Sequence, residues 1–462
     1  MMSRLKWFEC CGIGGVMLAV LLMGQGAATS QSLKEALAKA YVNNPTLEAA
    51  RAELRATDEG VPQALSGWRP TLEFNYDIGK THSDSAGGSS SGAGNQNRTP
   101  KTSTVSVEQN LFQGFQTVSG TDEAEQDVKA QRARLASTEQ TVLFTAATAY
   151  MDVLRDGAFL KLNISNERVL GRQLQATRDR FEVGEVTRTD VAQAESRLLS
   201  SKADRIQSEG ELVRSRARFL QVVGDMPETL KPTKTLGGLP ASEKEAIGLA
   251  RAKNPDVIAA KFEERSSKSA IKSAAGALFP TVDLVGQLRR ADQSSSPTSR
   301  SETASITAQL VVPLYQAGAV TSRIRQAKQV WSQRKRELDV AVWAATQAAT
   351  DAWKTLETAQ AQIAAFAAAV RAGEIALEGV RQEAQVGSRT VLDVLDAEQE
   401  LLNARVSLVR AERDAVVASV DLRRAVGTLR ADKLKLPVKS YDPEANFRAI
   451  RGKWFGIGIT GE

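Results

Sequence analysis

Val128, Leu135, Val142 and Ala149 stand seven residues apart, and Trp331, Leu338, Ala345 and Ala352 repeat the spacing. Leu401, Leu408, Ala415, Leu422 and Leu429 form a further seven-residue series. Apolar residues at that period are coiled-coil seams, which keep one stripe of a helix against its neighbour. The first two series lie in helical runs from Gly120 to Val183, 64 residues, and from Ser322 to Val386, 65 residues. At 1.5 Å per residue such a run reaches roughly 96 Å, and no compact domain houses a rod of that length. The flanking helices Leu33 to Leu65 and Thr189 to Val223 count 33 and 35 residues, so the two placed end to end match one rod. Glu243 to Ala277 and Asp393 to Gly427, 35 residues each, do the same beside the second.

That symmetry extends to residue identities. Lys34-Glu35-Ala36, Asn44-Pro45 and Pro70-Thr71 recur as Lys244-Glu245-Ala246, Asn254-Pro255 and Pro280-Thr281, at an offset of 210. Beyond the polar tract Ser83 to Pro100 the offset becomes 203, pairing Gly184, Thr187, Asp190 and Gly224 with Gly387, Thr390, Asp393 and Gly427. Internal self-similarity on this scale marks a tandem structural repeat. The expected divisions are residues 31–224 and 243–430 for the repeats, 225–242 for a Pro/Gly-rich joining segment, and 431–462 for a tail. Both connecting pieces are expected at mid-rod, where the short helices meet.

Each repeat also offers two strands. Leu72, Phe74, Tyr76 and Ile78 alternate with Thr71, Glu73, Asn75 and Asp77, the period of a strand with one apolar and one polar face. Thr102 to Gln109, Thr281 to Arg289 and Thr303 to Val311 behave similarly. Their lengths suit a tilted transmembrane strand of ~9 to 11 residues, and equally a half-buried strand of a soluble sheet. Helical spans are excluded more firmly. The alanine-rich stretch Ala341 to Ala372 carries Asp351, Lys354, Glu357 and Arg371. Each would cost roughly 2.5 to 3.5 kcal/mol at a bilayer centre.

The first thirty residues have a different character. Arg4 and Lys6 precede the apolar run Ile13 to Leu22, which small residues from Gly24 to Ser30 close. This is the pattern of a secretory signal peptide, residues 1–30, with the mature chain starting near Gln31. Cys10 and Cys11, the only cysteines, would leave with it, and neither sits at the end of the apolar run where a lipoprotein needs its acylated cysteine. The mature chain is therefore expected to be exported, cysteine-free and without a lipid anchor. With His82 the single histidine, no zinc cluster, cofactor site, disulfide framework or His-based catalytic couple is expected. The formal charge of +6 is a small surplus of 60 basic over 54 acidic residues, interspersed along the chain, so no nucleic-acid partner is implied.

The turns between long and short helices are Val183 to Asp190 and Val386 to Asp393. Gly184 and Gly387 end the incoming helices, and a Thr three residues before an Asp opens each outgoing one. Four strands cannot close a barrel with room for a channel, since about eight already fill their own interior. Closure requires several copies, hence a symmetric oligomer.

At this point the residues resemble a known family. The paired Asn-Pro motifs, Trp68-Arg69-Pro70, Asn110-Leu111-Phe112, Pro313-Leu314-Tyr315 and the whole run from Val386 to Asp396 are similar to the TolC family of outer-membrane exit ducts. The resemblance covers nearly all of the mature chain. It implies a mainly α fold with a β-barrel portion: a homotrimer whose four strands per protomer make a twelve-stranded barrel in outer-membrane lipid, above a long coiled-coil α-helical barrel in the periplasm. It implies partners as well, a periplasmic adaptor (membrane fusion) protein and an inner-membrane ABC or proton-driven transporter. The function implied is the exit duct of a tripartite efflux or type I secretion system, with the type I secretion branch the nearer one. No enzymatic activity is expected.

The resemblance also assigns residues. Asp393 and Asp396 match the family's cation-binding constriction at the periplasmic entrance. Three residues apart, they share a helix face, and three copies would bring six carboxylates around one aperture. Asp393 has a simpler role open to it, because its mate Asp190 occupies the same first-turn place. Asp396 has the neutral Gln193 as its mate, so capping does not account for it. Arg389, Thr189 and Asp190 match the entrance latch, whereas Ala384 stands where the family has a tyrosine. A periplasmic coiled-coil adaptor or scaffold is the alternative reading; it predicts one hairpin and no strand quartet.

Overall fold

The computed structural model describes residues 30–83 and 96–459. The expected signal segment, apart from Ser30, and most of the Ser83 to Pro100 tract lie outside the described residues. The chain begins with α1 (Leu33–Asn43), α2 (Pro45–Asp58) and α3 (Gly60–Leu65), then β1 (Thr71–Ile78), β2 (Thr81–Ser83), β3 (Gln96–Arg98) and β4 (Lys101–Gln113). A 67-residue helix α4 (Gln116–Glu182) follows, and α5 (Arg188–Val223) returns beside it. The order then recurs as α6 (Glu243–Lys253), α7 (Pro255–Gly276), β5 (Thr281–Asp292), β6 (Arg300–Val311), the 67-residue α8 (Ala319–Gln385) and α9 (Val391–Ala425). Two short helices, α10 (Ala431–Leu434) and α11 (Ala445–Ile450), close the chain.

Where one helix is expected from Leu33 to Leu65, and another from Glu243 to Ala277, the structure has breaks at Asn44-Pro45 and Asn254-Pro255. Proline lacks an amide hydrogen and drives its predecessor out of the helical region, so Asn44 and Asn254 are extended with ψ of 118° and 127°. Each asparagine then does two things. Its side-chain oxygen accepts from the amide of Thr46 or Asp256 to cap the next helix. Its side-chain amide donates to the last turn of the returning helix: Asn44 to the Val222 carbonyl at 3.0 Å, Asn254 to the Ala425 carbonyl at 3.1 Å. The repeated Asn-Pro is thus the clamp that stacks two short helices end to end beside a long one.

The seams are buried as their period requires, apart from Trp331, Leu338 and Leu408, which are only partly buried. Val128, Leu135, Val142 and Ala149 are all at most 6% exposed, and Ala345, Ala352, Ala415 and Leu422 are buried likewise. Two hairpins result, α4 with α5 and α8 with α9, joined along α4 by α7 and α9. At mid-rod Tyr150 is fully buried, with its hydroxyl between the carbonyls of Gln31 at 2.9 Å and Lys231 at 2.7 Å. Burial pushes this phenol up to about 12. Gln31 pairs with Leu230, and the Leu236 amide donates to Ser419 on α9, so the joining segment lies across the helix junctions. Arg413 of α9 reaches Asp152 of α4 at 2.8 Å, which ties the hairpins together at the same level.

The tail does not stay at mid-rod. It starts there, with the Ala431 amide donating to Glu139 at 2.8 Å and the Tyr441 amide to the Tyr41 hydroxyl at 3.0 Å. It then climbs along α2 and α4 through Asn446 to Asp58 and Arg451 to Glu125, and ends against Arg69 beside the strands. Ion pairs and side-chain hydrogen bonds to α2 and α4, Arg132 to Glu444 among them, hold it away from mid-rod.

The four main strands form one antiparallel sheet in the order β1-β4-β5-β6, while β2 and β3 pair as a small ribbon of their own. Register puts Phe74, Val105, Leu288 and Ala304 in one row and Leu72, Val107, Gly286 and Ile306 in the next. The opposite face carries rows such as Glu73, Ser106, Gln287 and Ser305. A bulge at Leu111 turns Phe112 onto the apolar face opposite Val282. Neither face is covered within the protomer: on the apolar face Phe74 is 65% exposed and Ile306 81%, and on the other Glu73, Gln287 and Ser305 are exposed. Among the described residues nothing pairs with the outer edges of β1 and β6. Among the described residues no helix is long and apolar enough to cross a membrane.

Candidate functional site

The far ends of the hairpins are built twice by the same local chemistry. The Gly184 amide donates to the Phe181 carbonyl and the Glu185 amide to the Arg180 carbonyl; Gly387 and Ser388 donate to Ala384 and Glu383 in the same way. This reciprocal pair closes a helix C-terminus when the residue after the cap adopts positive φ. Gly184 and Gly387 have φ of 83° and 81°, and a Cβ at either would meet open space. Conformation alone calls for glycine there.

Each outgoing helix starts with a reciprocal capping box. The Thr390 amide donates to the Asp393 carboxylate at 2.8 Å and the Asp393 amide to the Thr390 hydroxyl at 3.2 Å. Thr187 and Asp190 repeat this at 2.9 and 3.3 Å. Hydrogen bonding from the threonine amide, then from its hydroxyl, holds both carboxyls below the usual aspartate range. Within a protomer Asp393 therefore acts as the first-turn carboxylate that its mate Asp190 also is.

Asp396 is different. It lies one turn further along α9, exposed, and accepts a 2.7 Å hydrogen bond from Arg197 of α5. Arg197 was not singled out by sequence, although a signal exists. The mates of Gln193 and Arg197 are Asp396 and Glu400, so a neutral and basic pair four residues apart in repeat one is replaced by two acids in repeat two. Two further crossings are repeat-related: Arg178 to Glu195 at 3.7 Å, and Arg381 to Glu398. Beneath them Leu170, Val391 and Leu395 form a buried knuckle, with Val186 and Leu198 against it, which fixes the two tips side by side.

The residues matched to the latch are not brought together within one protomer. Arg389 pairs with Glu383 on its own hairpin at 2.9 Å, and Asp190 is engaged by Thr187. Among the described residues no ion pair joins Arg389 to Asp190, and Thr189 is exposed. No group of three or more His, Cys, Asp or Glu among the described residues could hold a metal ion. The tips thus offer an exposed carboxylate with a guanidinium partner, above a small apolar cluster.

Paired rod-length hairpins, a two-faced sheet with open edges and charged tips define an outer-membrane channel class of protein, and the comparisons agree. The sequence profile described as outer membrane efflux protein matches residues 36–225 and 246–428, and the chain belongs to that family, the TolC family. Its home is the outer membrane. It is 38% identical to the outer membrane efflux protein BepC of Brucella suis over 449 residues, 96% of each chain. It is 27% identical to the outer membrane protein TolC of Vibrio cholerae, over 87% of this chain and 92% of that one. Its fold matches the crystal structure of the Campylobacter jejuni CmeC outer membrane channel with a TM-score of 0.79 at 14% identity, over 91% of this chain and 89% of that one. Such relatives point to a channel, not an enzyme.

Proposed function

We propose that three copies of this chain assemble into the exit duct of a tripartite efflux or type I secretion system. The observation that carries this reading is the sheet: one face apolar, the other polar, both exposed, and both edges free among the described residues. An uncovered apolar face suits lipid, a polar one suits an aqueous lumen, and free edges are removed only by closure onto other copies. Three protomers then give twelve strands, β1 of one beside β6 of the next. The paired hairpins continue below the sheet as an α-helical barrel in the periplasm. The repeats 31–224 and 243–430, the segment 225–242 and the cleaved leader 1–30 belong to the same reading.

The helix tips are then the periplasmic entrance, where a periplasmic adaptor and an inner-membrane transporter, ABC-type or proton-driven, supply cargo and energy. Asp393 and Asp396 line the constriction. Arg389 holds it shut by reaching Thr189 and Asp190 of a neighbouring copy, in exchange for Glu383. Amine crosslinking of the purified protein, with fractionation of the envelope, tests the assembly. A ladder ending at three in the outer-membrane fraction is the expected result, and a soluble periplasmic monomer sinks the barrel.

A further inference from the structure

The end of the tail is a hook of unusual composition. The Lys453 amino group donates to the Gly458 carbonyl at 2.8 Å, and Gly456 turns the chain with φ of 105°. The hook throws its apolar side chains outward: Phe455 is 85% exposed, Ile457 106% and Ile459 74%. Trp454 packs beside Phe455, with ring centroids 6.2 Å apart.

Its position is set by Arg69. That guanidinium donates to the Lys453 carbonyl at 2.8 Å and lies 5.0 Å from the Trp454 ring centroid. Arg69 stands two residues before Thr71, where β1 and the apolar sheet face begin. The hook is therefore held at the strand-to-helix junction, level with the exposed rings of Trp68, Phe115, Phe279 and Tyr315. Among the described residues neither Arg69 nor Lys453 has a carboxylate partner. Two such cations beside Trp, Phe and Ile, continuous with an apolar sheet face, match the boundary between phospholipid headgroups and acyl chains.

We propose that residues 453–459 are a membrane anchor that inserts into the phospholipid leaflet at the strand-to-helix junction, with Arg69 and Lys453 against phosphate. The inference rests on the barrel reading above and is tested separately from it. With both native cysteines ahead of Gln31, the mature chain accepts a single label cleanly. Phe455→Cys, Ile306→Cys and, as an aqueous reference on α5, Leu199→Cys are each labelled with bimane. The full chain is reconstituted in phosphatidylethanolamine/phosphatidylglycerol vesicles, and headgroup or acyl-chain nitroxide lipids are added as quenchers. Expected is loss of fluorescence at Phe455→Cys with the headgroup quencher, at Ile306→Cys with the acyl-chain quencher, and at Leu199→Cys with neither. If Phe455→Cys stays bright while Ile306→Cys is quenched, the hook covers protein instead and the inference is overturned while the barrel stands. Quenching at Phe455→Cys alone removes the barrel and overturns with it the placement of the anchor at a strand-to-helix junction in lipid. If both stay bright, both ideas fall.

Discussion

Arg197 and Asp396 sit on different hairpins and share a charge-assisted hydrogen bond of 2.7 Å, so the carboxylate most distinctive of repeat two is held by a base peculiar to repeat one. Their side chains are 41% and 54% exposed. An exposed pair contributes about 0 to 1 kcal/mol, weak enough for Asp396 to exchange its guanidinium for a passing cation. In the proposed trimer that exchange makes Arg197 a competitor at the constriction.

Opposite effects follow from the two halves of the pair. In planar bilayers, Asp396→Asn should weaken multivalent-cation block of single-channel current, and Arg197→Gln should strengthen it by freeing the carboxylate. If Arg197→Gln leaves the block at its wild-type value, Asp396 does not face the aperture.

The capping boxes set a pH dependence with a definite sign. Because the Asp393 and Asp190 carboxyls are depressed in the folded state, their contribution is present above the ordinary aspartate range. It is lost as pH falls through the lower folded value. Amide exchange in the first turn of α9, taken relative to the intrinsic rate at each pH, should stay slow down to that range and quicken below it. Thr390→Ala, which removes a cap worth about 1 kcal/mol, should quicken it at every pH.

Glu139 has the reverse sign. It is 9% exposed, and burial raises its carboxyl even though it accepts from the Ala431 amide. A raised carboxyl favours the folded state below its unfolded value and loses that contribution as pH rises through its folded value. Glu139→Gln keeps an acceptor for Ala431 and removes the charge. The melting temperature of the variant should therefore fall less than wild type does as pH rises above the ordinary glutamate range, and parallel curves would argue against a buried charge.

Three glycines with positive φ should rank by their surroundings. Alanine costs roughly 1 to 2 kcal/mol in that conformation alone, which is the whole penalty expected for Gly387→Ala in open space. Gly224→Ala adds a tight approach to Asn43 at 3.1 Å. Gly427→Ala would drive a methyl into the Lys253 carbonyl at the Asn254 clamp and should be the most destabilising by thermal unfolding.

The sheet faces give a paired test. Arginine facing lipid at the bilayer midplane costs about 2 to 4 kcal/mol, whereas lumen positions tolerate charge. Ile306→Arg should lower the yield of assembled protein in outer-membrane fractions, and its neighbour Ser305→Arg should not. Equal losses would mean that the two faces see the same environment.

Periodic information survives in a single chain because it is local. The seven-residue seams, the alternation from Leu72 to Ile78, the Gly184 and Gly387 turns and the threonine caps each depend on residues a few positions apart, and the tandem repeat makes each visible twice. Even the Asn-Pro motif was legible, though not its reach to Val222 and Ala425. Which distant groups meet is a different matter, since it depends on how whole helices are rotated and staggered against one another. Only the tertiary structure brought Arg197 to Asp396 and led the tail from Glu139 up to Arg69. It also left Arg389 with Glu383. These are sparse polar contacts between elements far apart in sequence, with no period to announce them, and they are made only after apolar burial along the seams has set each helix in place.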